Sequence, residues 1–223
     1  MEQRAVDTSA EGVVLLHGIA RTPRSFRRMQ AALEKAGFAT LNLGYQSRKK
    51  PLQTLIVDIH PAIERFAATV DGPVHFVAHS MGGLLTRAYL AQFPPRRLGR
   101  VVMLGTPNGG SEIADRLKDH RLYRAYFGPA GQQLTTMRDA AMQALLPPPR
   151  CPVGIIAGSR SVDPIASTFL LPRPNDGRVS VANTKLDGMT DHMVIAAAHP
   201  FLMRHSQAIA QTIAFLRQGR FHP

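Results

Sequence analysis

The stretch FVAHSMGGLL, Phe76 to Leu85, runs an apolar segment into a lone serine and then into two glycines. Ser80 has small residues two positions away on either side, Ala78 and Gly82. This is the pattern G-x-S-x-G with alanine in the first position. Small residues are needed there because a serine held between a strand and a helix sits in strained backbone where larger side chains clash. Such a turn presents the hydroxyl as a nucleophile at a helix N-terminus, whose dipole favours developing negative charge. A packing explanation coexists with the chemical one, since glycines also let a helix approach a sheet. A serine hydroxyl is a weak nucleophile and needs a base. Attack on a carbonyl also needs donors for the oxyanion. In this architecture the residue after the nucleophile supplies one backbone N–H, here Met81. LLHGIART (15–22) offers the second, with a strand end, then His17-Gly18, then the Ile19 amide.

The elements that would hold these groups follow from periodicity. EGVVLLHG (11–18) reads as a buried strand. Thr22-Pro23 opens a helix running to Ala36, and Gly37 stops it. ATLNLGY (39–45) is a second strand. Residues 52–70 have helical spacing, with Pro61 expected to kink or divide them. PVHFVAH (73–79) is a strand, Met81 to Phe93 a helix, and GRVVMLG (99–105) a further strand. This alternation predicts an α/β fold with a mostly parallel sheet covered by helices on both faces. From Thr106 to Pro149 the pattern changes to a loop and short helices, including one near 133–146. It reads as a helical insertion over the active site, within a single domain of residues 1–223. CPVGIIAGS (151–159) resumes the sheet, RVSV (178–181) is a short strand candidate, and a helix of about 200–217 closes the chain.

Composition narrows the classes. Hydrophobic residues make up 44% and charged residues 19%, an ordinary globular balance. No apolar run is long enough to span a bilayer, and MEQRAVDTSAEG lacks the apolar core of a signal peptide. A cytoplasmic location is the resulting expectation. One cysteine, Cys151, excludes an internal disulfide, and the histidines lack zinc-site spacing. The net charge of +12 raises a nucleic-acid or lipid-surface reading. The arginines are spread along the chain and no nucleic-acid motif accompanies them. No nucleic acid and no protein partner are expected, while weak association with anionic lipid surfaces stays open.

HGI, AHSMGG and GTPNGGS together resemble the α/β-hydrolase superfamily, in its bacterial lipase/esterase type. The resemblance covers about residues 12–217. It implies the chain order serine, acid, histidine. Asp176, in PNDGRVSV, resembles the lipases' Asn-Asp-Gly-Val-Val segment, where the aspartate is the catalytic acid. Asp163, after the strand at 153–157, occupies a place where many family members carry it, and is the alternative acid. His199 precedes FLM and the last helix, as the lipases' catalytic histidine does. His192, in TDHMVI, is the alternative base. The resemblance thus implies a serine hydrolase cleaving carboxylic esters, an esterase or lipase, with Ser80, Asp176 and His199 catalytic and the Ile19 and Met81 amides holding the oxyanion. The substrate is a small-molecule or lipid ester, and neither cofactor nor metal is expected. Leu117, Leu122, Tyr123, Tyr126, Phe127, Leu134 and Met137 are available to wall the pocket. Rival readings are thioester hydrolysis or acyl transfer on the same triad, and a catalytically silent binding protein of the same fold.

Overall fold

The structure, a computed structural model, describes residues 11–162 and 171–222. Six strands form one sheet: β1 (Gly12–Leu16), β2 (Ala39–Leu43), β3 (Val74–His79), β4 (Leu98–Leu104), β5 (Val153–Gly158) and β6 (Asp191–Ile195). Their spatial order is β2-β1-β3-β4-β5-β6. Every pairing is parallel. Parallel strands need crossovers, and α1 (Arg27–Lys35), α2 (Leu52–Ala67) and α3 (Met81–Gln92) supply the first three.

β1, β3 and β5 are buried along their whole length because both faces of the sheet are covered there. Val14, Leu16, Phe76 and Ala78 point to a core built with α2 and α3. Their neighbours Val13, Leu15 and Val77 point to a second core with α1 and the C-terminal helix Ser206–Gln218. The chain steps from β1 outward to β2, then back across to β3 on the other side of β1. At such a switch point the loops after two neighbouring strands diverge and leave a crevice at their C-terminal ends. The His17-Gly18 turn follows β1 there, and Ser80 follows β3.

Several elements differ from the sequence expectation. The segment opened by Thr22-Pro23 begins as a 3-10 turn, Pro23–Phe26, before α1. Pro61 lies inside α2 without dividing it. The carbonyl that loses its partner is that of Val57, whose side chain is exposed, so water is at hand. RVSV is not a sheet strand. Ser180 makes one isolated bridge to Asn175, and Val181–Thr184 forms a helical turn capped by the Ser180 hydroxyl. The last strand is β6 instead, within TDHMVI. After β4 come α4 (Glu112–Leu117), α5 (Arg121–Gln132) and α6 (Ala140–Leu145). The helix expected near 133–146 is thus the shorter α6. Gly128-Pro129 forms a kink within α5, where Gly128 takes φ 62°. Arg87 on α3 fastens this region. Its guanidinium donates to the Pro147 carbonyl at 3.2 Å, to Asn108 Oδ1 at 3.3 Å, and to the Leu146 carbonyl. Among the described residues no helix is long and apolar enough to cross a membrane.

Two outcomes follow for stability. A Cβ at Gly83 would lie 2.1 Å from Thr106 Oγ1, whereas one at Gly82 would lie 2.2 Å from the Leu16 backbone carbonyl. Gly83→Ala should cost about 1–3 kcal/mol in urea unfolding and recover in part with Thr106→Ala, while Gly82→Ala should find no such rescue. Equal costs with no rescue at either site would contradict the packing described. His75 on β3 is buried, and burial holds its pKa below 6.5 against the upward pull of Glu11. A depressed folded pKa gives stability that is present above about 6.5 and lost as pH falls toward the folded value. The thermal midpoint should therefore drop on going from pH 7.5 to 5.5, and less so in His75→Gln. Equal drops would show that His75 does not titrate this way.

Candidate active site

Ser80 stands between β3 and α3 with φ 55° and ψ −127°, one of two non-glycine residues with positive φ among the described residues. For a side chain that bears a Cβ this is a costly conformation. It is held by the Ser80 amide donating to the Leu104 carbonyl at 2.9 Å and by the Gly83 amide donating to the Ser80 carbonyl at 3.0 Å. Ala78 stands in register with Leu16 on β1 and is fully buried. Upstream, a Cβ at Gly18 would meet His79 Nδ1 at 2.9 Å and Ser80 Cβ at 3.0 Å. Small residues are therefore required on both sides of the serine by contacts, as well as by the backbone.

The Ser80 hydroxyl donates to His199 Nε2 at 3.0 Å, and His199 Nδ1–H donates to Asp176 Oδ2 at 2.7 Å. All three residues are buried, Asp176 to 1% exposure. A buried carboxylate needs its lone pairs occupied. Asp176 Oδ1 accepts from the Arg178 and Val179 amides at 2.9 and 2.8 Å, which closes the Asp176-Gly177 turn. The His199 amide donates to the Asp176 carbonyl at 2.9 Å, so acid and histidine are also joined through their backbones. Thr184 Oγ1 lies 3.0 Å from His192 Nε2, on β6 and away from Ser80. Asp163 lies outside the described residues.

Around Ile19 the chain makes a tight turn, closed by the Arg21 amide donating to the Gly18 carbonyl at 3.2 Å. Ala20, at φ 55°, occupies the position where a type II turn requires positive φ. The Ala20 amide is taken by Ser47 Oγ at 3.2 Å. No hydrogen bond among the described residues uses the Ile19 amide. Met81 opens α3, so its amide has no partner within the helix.

His79 is a residue whose position sequence reasoning undervalued. Its Nε2–H donates to the His199 carbonyl at 3.0 Å, and its Nδ1 has no partner among the described residues. Burial pushes its pKa well below 6.5, with the charges of His199, Arg21 and His17 adding to the effect against the hydrogen bond to His199. It is a neutral strut beneath the His199 backbone. Its place beside the serine, in the pattern's variable position, was the available signal. His17, also held neutral by burial, stacks on Tyr45 at 4.1 Å, and the Tyr45 hydroxyl donates to the His17 carbonyl.

A cavity of about 250 Å³ opens above Ser80. Ile19, Ile113, Tyr123, Phe127 and Leu134 form its apolar wall, with Tyr126 at its edge. Of the residues expected to line it, Leu122 and Met137 point to solvent instead and Leu117 packs against the core. The arrangement offers a hydroxyl, a base with a fixed tautomer, and unpaired amides beside an apolar chamber. That combination suits acyl transfer to serine.

The sequence profile described as "alpha/beta hydrolase fold" matches residues 12–185. A triacylglycerol lipase of Pseudarthrobacter phenanthrenivorans is 32% identical over 120 residues, covering 48% of this chain and 36% of that protein. One of Burkholderia plantarii is likewise 32% identical over 120 residues, covering 48% of this chain and 32% of its own. The match thus spans about a third of the length of these curated relatives. The mature form of Bacillus licheniformis lipase BlEst2 superposes with a TM-score of 0.75 at 18% identity, covering 98% of this chain and 96% of that one. The metagenomic carboxyl esterase MGS0156 gives 0.73 at 20% identity, over 86% and 65% of the two chains. With a profile match over most of its length and this sheet, the chain belongs to the α/β-hydrolase family.

Proposed function

We propose that the protein is a serine hydrolase that cleaves carboxylic esters through an acyl-enzyme on Ser80. The observation that carries this reading is the continuous chain from the Ser80 hydroxyl through His199 to the buried Asp176 carboxylate. Ser80 Oγ attacks the ester carbonyl while His199 Nε2 takes its proton. Asp176 keeps the His199 proton on Nδ1 and stabilises the imidazolium. The Ile19 and Met81 amides receive the oxyanion. The acyl carbon–oxygen bond then breaks, and His199 returns the proton to the departing alkoxide. Water, deprotonated by the same imidazole, hydrolyses the acyl-enzyme.

In this reading residues 106–149 are the acyl-side wall of a single domain, and the substrate is a small-molecule or lipid ester. The lipase relatives support that class, as does the apolar wall. The net charge of +12 supports weak attraction to anionic lipid surfaces.

Hydrolysis of p-nitrophenyl esters of increasing chain length tests the reading. Ser80→Ala and His199→Ala should each lower kcat by roughly 10⁴-fold or more, and Asp176→Asn by about 10⁴-fold. His192→Ala should stay within a few-fold of the wild type. A Ser80→Ala protein that turns over at the wild-type rate would sink the assignment, and equal losses in His192→Ala and His199→Ala would sink the choice of base. Narrowing the chamber with Leu134→Phe should lower kcat/KM for longer acyl chains more than for acetate. An unchanged chain-length profile would place the acyl group elsewhere.

A further inference from the structure

A second, smaller cavity of about 120 Å³ adjoins the first, lined by Arg21, Asp176, Arg178, His199, Pro200 and Val162. Arg21, Arg178 and His199 line both cavities, so the two meet at the histidine. Ser80 and the apolar wall belong to the larger one alone. The two arginines reach this place from different loops, Arg21 from the turn after β1 and Arg178 from the turn after Asp176. Both side chains are exposed, and among the described residues neither guanidinium is within 4.0 Å of a carboxylate. The Asp176 carboxylate is already taken by His199 and two backbone amides.

We infer that the smaller cavity receives the alcohol part of the ester and that this alcohol carries an anionic group, a phosphate or carboxylate, held between Arg21 and Arg178. The inference rests on the hydrolase reading and names its substrate class. When the acyl carbon–oxygen bond breaks, the electron pair goes to the alkoxide, which takes its proton from His199 Nε2. The leaving group therefore departs on the histidine side, where Arg21 and Arg178 both line the smaller cavity. The acyl part keeps the larger cavity, whose deep wall of Ile113, Phe127 and Leu134 offers nothing to an anion. Arginine's planar donors match phosphate and carboxylate oxygens in pairs.

The test compares two soluble, monomeric esters, 1-hexanoylglycerol and 1-hexanoylglycerol 3-phosphate, by release of hexanoate at low ionic strength. The wild type should favour the phosphate ester by about tenfold or more in kcat/KM, and salt should reduce that ratio. In the Arg21→Gln/Arg178→Gln double variant the ratio should fall toward one, and the Arg→Lys pair should recover part of it. Free glycerol 3-phosphate should compete with p-nitrophenyl hexanoate in the wild type and lose that effect in the double variant. This arm separates an anion site from attraction to a lipid surface. A wild-type ratio near one, or a ratio the double variant leaves unchanged, would overturn this inference alone. Hydrolysis of neither ester would overturn the hydrolase reading with it.

Discussion

The first turn of α3 lies closer to the ends of β1 and β4 than a side chain at residue 82 or 83 would permit. The Leu16 and His17 carbonyls occupy the space of a Gly82 Cβ, and Thr106 occupies that of Gly83. With the helix that near, the chain leaving β3 has one residue in which to turn, and Ser80 absorbs the cost at φ 55°. The rest of the site follows from that approach. The hydroxyl stands at the end of β3 beside the cavity, Met81 follows it as the first residue of the helix, and the β1 turn that carries Ile19 lines the same cavity. Strain of this kind persists because the surrounding contacts over-determine it.

The partners of the serine are held by a different principle, the satisfaction of a buried charge. Asp176 is at the bottom of the chain of hydrogen bonds, and its turn is folded around its own carboxylate. The same amides that keep it solvated bring the backbone round so that His199 can bond to it twice, by ring and by main chain. His79 completes the scaffold from the elbow side. Ser80, His199 and Asp176 come from three stretches of chain, yet backbone bonds and a neutral imidazole link them independently of their side-chain hydrogen bonds.

The sequence was most legible where sterics dictate residue type. The small residues around Ser80, the His17-Gly18 turn and the doubly apolar strands all carry a physical signature that survives without any neighbour in view. It was least legible where tertiary context decides. DHMVI begins with an acid and a histidine and carried no strand signal, yet an edge strand needs only one good partner, here β5. RVSV has a strand's alternation, but the Asp176 side chain captures the amides of Arg178 and Val179 and bends the chain into a turn. Gly128 and Pro129 lie in a glycine-rich patch for which the sequence showed no helix, yet a glycine at positive φ lets α5 bend against the Arg48 carbonyl and carry on. The wall residues on α5 were only half legible for a related reason. Tyr123 and Phe127, four residues apart, share the inward face of α5 and Leu122 takes the outward one, and which face of a helix is covered is set by neighbours the sequence does not name.

Arg87 gives the chamber one more property. It ties the far end of the wall to the serine-bearing helix with a buried cation whose partners are carbonyl and amide dipoles instead of a carboxylate. Burial, with Arg138 nearby, lowers its pKa only to about 10. A clasp of charge on dipoles has no counter-ion for salt to exchange and no proton to lose below strongly alkaline pH. The far end of the wall thereby stays fastened across the ranges of ionic strength and acidity in which surface ion pairs loosen.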